Sequence, residues 1–499
     1  MPEIKQIHRS LYVIVAVFAC IYGLISLVNH YEFRTGAYDL GIFNNAIFDY
    51  AHLRSNSTIL FEPLFRPRNA LADHFDLMLV LLSPLYWLFG SWTLLIMQIV
   101  FILFGGFGMY KLIEHISGSS KLAVFALFHF YSIWGIYSAL SFDYHSNVVA
   151  AMLVPWMIYF FRTGKMAWCT LLFFLVVCCK ENMAIWAAFI WLGEAWVRRK
   201  EKRSTVRAIA FSLASLFYFF LVTALLMPAL MPAGEKYLHF GFSALGNNFK
   251  EAIVTVFTRF QYVVTLLFES PLPQSETFGI KTELHFYVLL AGGFALFLRP
   301  QYLLMLVPIY AQKLFNDDIV KWGLNSQYYI EFVPILTLAV FDWISGMKDG
   351  KRRSMACWLI CASTFISSIA SMDHRYSKWL ESKTIAFYDA RHYQNNFDVK
   401  RVHHLLDEVP DEVRVSASGP LVPHIAFRRG IYMFPYVADA QLILLLRGSS
   451  TFPLSREQFE RQLDSLNTAP SWIKFYDANN LIGYRKKDFP FNFKAHAGE

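Results

Sequence analysis

Residues 166–197 read MAWCTLLFFLVVCCKENMAIWAAFIWLGEAWV. Lys180-Glu181-Asn182 interrupts this long apolar stretch. A lysine or an acid at mid-bilayer costs about 3 kcal/mol or more, so such residues pair, face a cavity or reach water. The stretch therefore reads as two membrane helices, 166–179 and 183–197, with the polar triplet at the tip of a hairpin. Both feet of the hairpin are basic. Arg162 and Lys165 precede it, and Arg198, Arg199, Lys200, Lys202, Arg203 and Arg207 follow it. Excess Lys and Arg marks the cytoplasmic side of a membrane helix. The tip then lies on the outer side, and the chain belongs to the proteins that cross a bilayer several times.

Outward from the hairpin, further apolar runs occur at 11–29, 92–110, 122–141, 146–161, 207–231, 283–298, 301–315, 328–344 and 354–371. Together they predict an all-α polytopic transmembrane bundle of about 11 spans, each crossing about 30 Å of hydrocarbon. Lys5 and Arg9 precede the first run, Lys111 and Lys121 flank one loop, and Lys348, Lys351, Arg352 and Arg353 precede the last run. Placing every basic cluster in the cytoplasm puts the N-terminus inside and the C-terminus outside. Leu77 to Phe89 is apolar but short and contains Pro84. Reading it as a surface helix keeps the alternation consistent. The first outer loop then runs from 29 to 91, and a second outer segment from 232 to 282. Within the latter, Phe249 to Phe268 has apolar residues at helical spacing, which predicts an interfacial helix. Leu11 to Val28 lacks a small-x-small cleavage site and is followed by further spans, so it reads as an uncleaved helix.

Composition agrees. Of 499 residues, 56% are hydrophobic, 17% aromatic and 16% charged. A net charge of +8 would suggest nucleic acid in a soluble protein. Here the basic residues sit in short clusters between apolar runs, the pattern of cytoplasmic loops, so no nucleic-acid partner is expected. The cysteines all lie in apolar stretches, without a disulfide framework or a CxxC metal site. No internal repeat stands out.

After Ser371 the sequence turns polar. Val399 to Val409 reads as a helix closed by Pro410, and Val413 to Ala417 and Leu442 to Leu446 read as strands. Ser455 to Leu466 opens like a capped helix. Trp472 to Tyr476 and Leu481 to Tyr484 read as a hairpin. The expected organisation is a membrane domain, 1–371, and a small extracytoplasmic α/β domain, 372–499.

The polar residues of the membrane part gather on the outer side. Asp39 precedes an amphipathic stretch. It reads either as an N-cap or first-turn acid that satisfies free helix N–H groups or as a general base for an acceptor hydroxyl. His74 and Asp76 precede the second surface helix, where Asp76 is either a cap or part of a site. Asp143 and His145 close a span, where solvation at the interface is the plain alternative. Lys180 is either part of an exposed turn or a cation that steers an anionic group with Glu181 as its partner. Asn316-Asp317-Asp318 joins this side. Arg54, Arg66 and Arg68 in the first loop are candidates for a phosphate. Histidine with carboxylates also suits a divalent cation, although no ligand spacing here is specific to one.

The stretches Tyr38-Asp39-Leu40-Gly41-Ile42-Phe43, His74-Phe75-Asp76, Phe142-Asp143-Tyr144-His145, Lys180-Glu181, Val415-Ser416-Ala417-Ser418 and Pro423-His424 resemble, in order and spacing, a family of bacterial membrane proteins of unassigned function. That family looks like the GT-C glycosyltransferases. The resemblance implies many spans, a long first outer loop with surface helices, and an acid in that loop serving as base or as acceptor and metal contact. Asp39 matches that acid, although Leu40 follows it where the family often has a second acid. His74 loosely matches a His-Pro-Pro-Leu element, with Phe75-Asp76 in place of the prolines. The implied location is the bacterial cytoplasmic membrane. The implied partners are membrane lipid and a polyprenyl-phosphate sugar donor, with the sugar transferred to an extracytoplasmic acceptor. A transporter or flippase of a lipid-linked molecule, or a non-catalytic partner in envelope assembly, would use the same charged cavity without bond chemistry. Nothing in the sequence indicates an oligomeric state.

Overall fold

The computed structural model describes residues 2–58, 68–231, 241–270, 279–324, 326–372 and 385–494. Arg66, part of the 232–282 segment and the polar stretch just after Ser371 lie outside these residues. The fold is mostly helical, with a small sheet formed by the C-terminal residues. Its residues form two compact units, each discontinuous in sequence.

The first unit comprises Met1–Ile25, His74–Met78 and Met97–Ala386. The hairpin of 166–197 is present as Met166–Cys179 and Met183–Val197. Among the described residues, four helices are long and apolar enough to cross a membrane: Arg9–Tyr31, Met78–Ser117, Lys202–Leu230 and Gly350–Ala370. Ser120–Ser132 and Trp134–Leu140 make a fifth if their 43° bend is counted as one broken span. The other expected spans are shorter apolar helices, among them Ser146–Arg162, the two arms of the hairpin and Phe332–Ser345. The expected span at 283–298 is broken into Ile280–Leu290 and Ala295–Leu298. Gly292 lies in the break at φ +83°, a backbone conformation that a side chain would strain. The expected interfacial helix is also two pieces, Phe249–Thr258 and Phe260–Thr265, which join at Arg259.

Small residues bring the helices of this unit together. A Cβ on Gly105 would lie 2.8 Å from the carbonyl oxygen of Met152, so the helix Thr93–Ser117 approaches Ser146–Arg162 backbone to backbone. Between Ser146–Arg162 and Met183–Val197, Arg162 and Glu194 form a buried ion pair at 2.6 Å, and Tyr302 also contacts Arg162.

The second unit comprises Ser26–Asp73, Leu79–Ile96 and Phe387–Glu499. Its five-stranded sheet has the order Ile431–Met433, Val415–Ala417, Leu442–Leu446, Leu481–Lys486, Trp472–Ala478. The first three strands are parallel, and the last two pairings are antiparallel. The central strand LILLL is buried on both faces. Leu442, Leu444 and Leu446 pack with Val402, Leu405 and Leu406 of the helix Val399–Asp407. Ile443 and Leu445 face the other way, onto Phe459, Leu463 and Leu466 of Arg456–Thr468. Ser455 caps the latter helix in a capping box with Gln458.

Residues that follow the first span belong to this core as well. Phe33 and Ala37 pack with Val422 and Ile425. Asn44 donates to the carbonyl of Pro423 at 2.9 Å, and Asn45 donates to those of Ala426 and Arg428. Arg34 donates to the carbonyl of His392 at 2.6 Å.

Candidate functional site

In the first unit, ends of several apolar helices bring polar side chains together. Ser146–Arg162 begins after the extended residue His145. Met166–Cys179 ends at the extended residue Lys180, and Met183–Val197 begins after Asn182. The segment His74–Met78 joins them, with the Leu77 amide donating to the carbonyl of Cys178 at 2.9 Å.

Glu181 ties two of these segments together. Its side chain meets His74 Nδ1 at 3.2 Å and accepts from the Phe75 amide at 3.2 Å. Only 1% of the residue is exposed. Burial alone would lift its pKa, but the positive charge of His74, the hydrogen bond from it and the charge of Lys180 outweigh burial and hold it at about 2. Glu181 is thus bonded to His74 and to the Phe75 amide, and Lys180 acts on it through its charge. Glu181 is also buried, which rules out the plain exposed turn.

Asp76 does two things. Oδ1 accepts from the Met78 amide at 3.0 Å, the capping role anticipated for it. Oδ2 accepts from the Ser146 hydroxyl, which in turn lies 3.0 Å from the Tyr144 hydroxyl. Burial, and then the nearby Asp76 charge, push the Tyr144 phenol well above its ordinary pKa. Asp143 and His145 are buried, which corrects the expectation of simple solvation at the interface. Gln98 holds their backbone, accepting from the His145 amide at 2.9 Å and donating to the Asp143 carbonyl at 3.4 Å. The His145 ring stacks on Phe142. Asn147 reaches Glu331 Oε1 at 3.2 Å, and Asn182 reaches Gln312 Oε1 at 3.2 Å. The structure thus joins His74 to Glu181 and Asp76 to Ser146, and sets Asp143, His145 and Lys180 on the neighbouring helix ends.

Asp39 belongs to the second unit. It lies in a π-helical turn, Ala37–Gly41, that leads into the helix Ile42–Ala51. Gly36 is the N-cap of that turn and Asp39 is its first-turn acid, so of the two structural roles anticipated for Asp39 the second is the one it takes. Burial raises the Tyr38 phenol pKa, and the charges of Asp39 and then Asp73 raise it further. Asp39 and Asp73 therefore act on one phenol, and Tyr38 stands edge-on to Phe452 at 5.6 Å. Arg54, one of the loop arginines, is engaged with Asp49 at 3.0 Å.

Sequence reasoning passed over Gln98, Ser146, Asn147, Lys313, Lys321 and Glu331. For Lys313 and Glu331 a signal was present, since each is an ionisable residue within an expected span. The others are ordinary polar residues that only the fold brings to this place. Among the described residues, no three His, Cys, Asp or Glu side chains are grouped to hold a metal ion.

A helical fold with apolar spans and a buried polar group at its helix ends defines a membrane protein. Its family model is described as "Predicted membrane protein (DUF2079)" and matches residues 29–482. The chain belongs to that family. A solved structure of ArnT from Cupriavidus metallidurans bound to undecaprenyl phosphate has the same overall fold, with a TM-score of 0.52. It is 10% identical in sequence, and the match covers 95% of this chain and 97% of that one. The likeness is one of fold. No curated protein matches the chain.

Proposed function

We propose that this protein is a membrane glycosyltransferase that moves a sugar from a polyprenyl-phosphate donor to an acceptor outside the membrane. The observation that carries this reading is the buried polar group at the helix ends of the first unit, where His74, Glu181, Asp76 and Ser146 are linked and Lys180 stands beside them. A group of this kind inside a helical membrane protein suits a reaction on a charged lipid head group. The whole-chain likeness to ArnT, a protein solved with undecaprenyl phosphate bound, supports the choice of donor.

The reaction is a direct displacement. The acceptor oxygen bonds to the anomeric carbon, the bond from that carbon to the phosphate oxygen breaks, and the lipid phosphate leaves with the electron pair. A carboxylate takes the proton of the acceptor hydroxyl, and Asp39 is the candidate that the family resemblance implies for it. Lys180 offsets charge on the departing phosphate. Glu181 and His74 fix the turn that carries Lys180. In this reading the N-terminus is cytoplasmic, the sheet-containing unit is extracytoplasmic, and the amphipathic pieces Phe249–Thr258 and Phe260–Thr265 lie near the donor tail.

The test is transfer of label from a radiolabelled polyprenyl-phosphate sugar to extracted acceptor, using the full chain in lipid nanodiscs. Label should move, and Asp39→Asn should slow the movement by about a hundredfold. Uptake of the lipid-linked sugar by proteoliposomes without bond transfer would replace this reading with that of a flippase.

A further inference from the structure

A second charged group adjoins Lys180, on residues that neither the motifs nor the proposed reaction uses. Lys313, in the last turn of Pro300–Leu314, is only 6% exposed. Its ammonium lies 5.2 Å from the centre of the Tyr328 ring. Among the described residues, neither Lys313 nor Lys180 has a hydrogen-bond or ion-pair partner. Lys321 donates to Asn316 Oδ1 at 3.2 Å and lies 3.7 Å from Asp318. The charges of Lys180, Lys313 and Lys321 act on one another.

The acids nearby are engaged elsewhere, exposed or incompletely matched, and Asp317, which also acts on Lys321, accepts from the amide and hydroxyl of Ser243. Glu181 is engaged with His74. Asp318 is half exposed, which weakens its field. Glu331 is fully buried and interacts with both Lys313 and Lys180, but Oε2 has no hydrogen-bond partner among the described residues. Asn182 Oδ1, Gln312 Nε2 and Gln327 Oε1 are buried and unpartnered in the same way. A buried ammonium without an ion-pair partner, as at Lys313, is costly, and the half-buried cations of Lys180 and Lys321 add to that cost. Polar atoms left unmatched beside them mark a place that a ligand completes. The ligand must be an anion with several acceptor oxygens, and a phosphate group meets three ammonium donors better than a carboxylate can.

We propose that Lys180, Lys313 and Lys321 form a binding site for a phosphate group and that Glu331 is the counter-charge with which the phosphate competes. The phosphate belongs either to a lipid head group or to a soluble species. If it is lipid-borne, the site holds the donor of the proposed transferase, and in that case the inference rests on that reading. Binding is measured without turnover, so either idea can fail alone.

The experiment measures binding of three probes to the full chain in nanodiscs: a polyprenyl monophosphate, the corresponding neutral polyprenol, and inorganic phosphate. The polyprenyl monophosphate should bind at least tenfold more tightly than the polyprenol. Lys321→Gln, on a partly exposed residue, should weaken phosphate binding about fivefold and Lys313→Met about tenfold or more. Glu331→Gln should strengthen it severalfold, because it removes the competing charge. A lysine that merely balanced Glu331 would give no such gain. Phosphate-dependent binding of the lipid probe alone identifies a lipid head group, and competition by inorganic phosphate at similar affinity identifies a soluble source. Equal binding of polyprenol and polyprenyl phosphate together with no binding of inorganic phosphate would overturn the site. So would folded Lys321→Gln and Glu331→Gln proteins that bind like the parent.

Discussion

At the scale of single residues, Asp39 and the buried histidines of the second unit can each be tested by substitution. Asp39 lies in the first turn of its helix, a role that asparagine fills nearly as well, so Asp39→Asn separates that role from basicity. Turnover should fall by about 10² or more while the folded protein stays abundant. A normal rate, measured with a donor that the parent protein uses, would remove Asp39 from the chemistry. His424 is buried in the second unit, its ring stacked on His30 at 4.0 Å and 5.1 Å from that of His403. Burial, then the fields of His30 and His403, hold the His424 pKa well below the usual histidine value. Burial lowers that of His403 too, against the Tyr31 carbonyl and the charges of Asp407 and Glu32. Both pKa values are lower in the folded than in the unfolded state, so the unfolded state takes up more protons as pH falls. Stability should be level above about pH 6.5 and should fall below it by up to about 1.4 kcal/mol per pH unit for each histidine. Thermal melts of the full chain between pH 7.5 and 5 should show that slope, and His424→Phe should flatten it. A melting temperature that rises on acidification would contradict the assignment of neutral histidines.

At the scale of elements, the packing of Ser146–Arg162 against its neighbours rests on two devices. One is the missing side chain of Gly105. The other is the Arg162–Glu194 pair, whose side chains are 5% and 0% exposed. Removing one partner of a buried pair leaves the other uncompensated, at a cost of about 3–5 kcal/mol. Glu194→Ala should therefore destabilise the detergent-solubilised protein by about that amount. The double substitution Arg162→Met with Glu194→Leu should recover most of it, since apolar residues often replace a buried pair without loss. Denaturant titration followed by tryptophan fluorescence would measure both. Equal stability of Glu194→Ala and the parent would show that the pair carries little weight. The hairpin Trp472–Ala478 and Leu481–Lys486 is an element that local rules suffice to predict. Asn479 and Asn480 both adopt positive φ, as a two-residue turn between antiparallel strands requires.

At the scale of the whole molecule, the charge map makes the topology testable. A single cysteine at Lys200, in the basic loop, should resist impermeant maleimide added outside intact cells. One at Asn480, in the sheet-containing unit, should react. The reverse pattern would invert the map and place the proposed site on the cytoplasmic side. The same distribution of charge makes the membrane class legible in the amino-acid sequence, because a charge is costly in hydrocarbon whatever the fold around it.

From sequence alone the helical hairpin at 166–197, the membrane class and most elements of the C-terminal sheet were determined, since each depends on local periodicity, on caps or on the cost of burying charge. The helix Val399–Asp407, the central strand Leu442–Leu446 and the hairpin fall where their patterns predict. Tertiary structure alone decided the partners. Glu181 turns to His74 rather than to the adjoining Lys180, and the Ser146 hydroxyl finds Asp76 from 70 positions away in the chain. Phe33, Ala37, Asn44 and Asn45, which follow the first span, pack with residues beyond 420. Lys313 and Glu331 lie within apolar runs that read as plain spans, and only the folded chain places them beside Lys180. Such pairings depend on distance in space, and the pattern of a single sequence carries distance only along the chain.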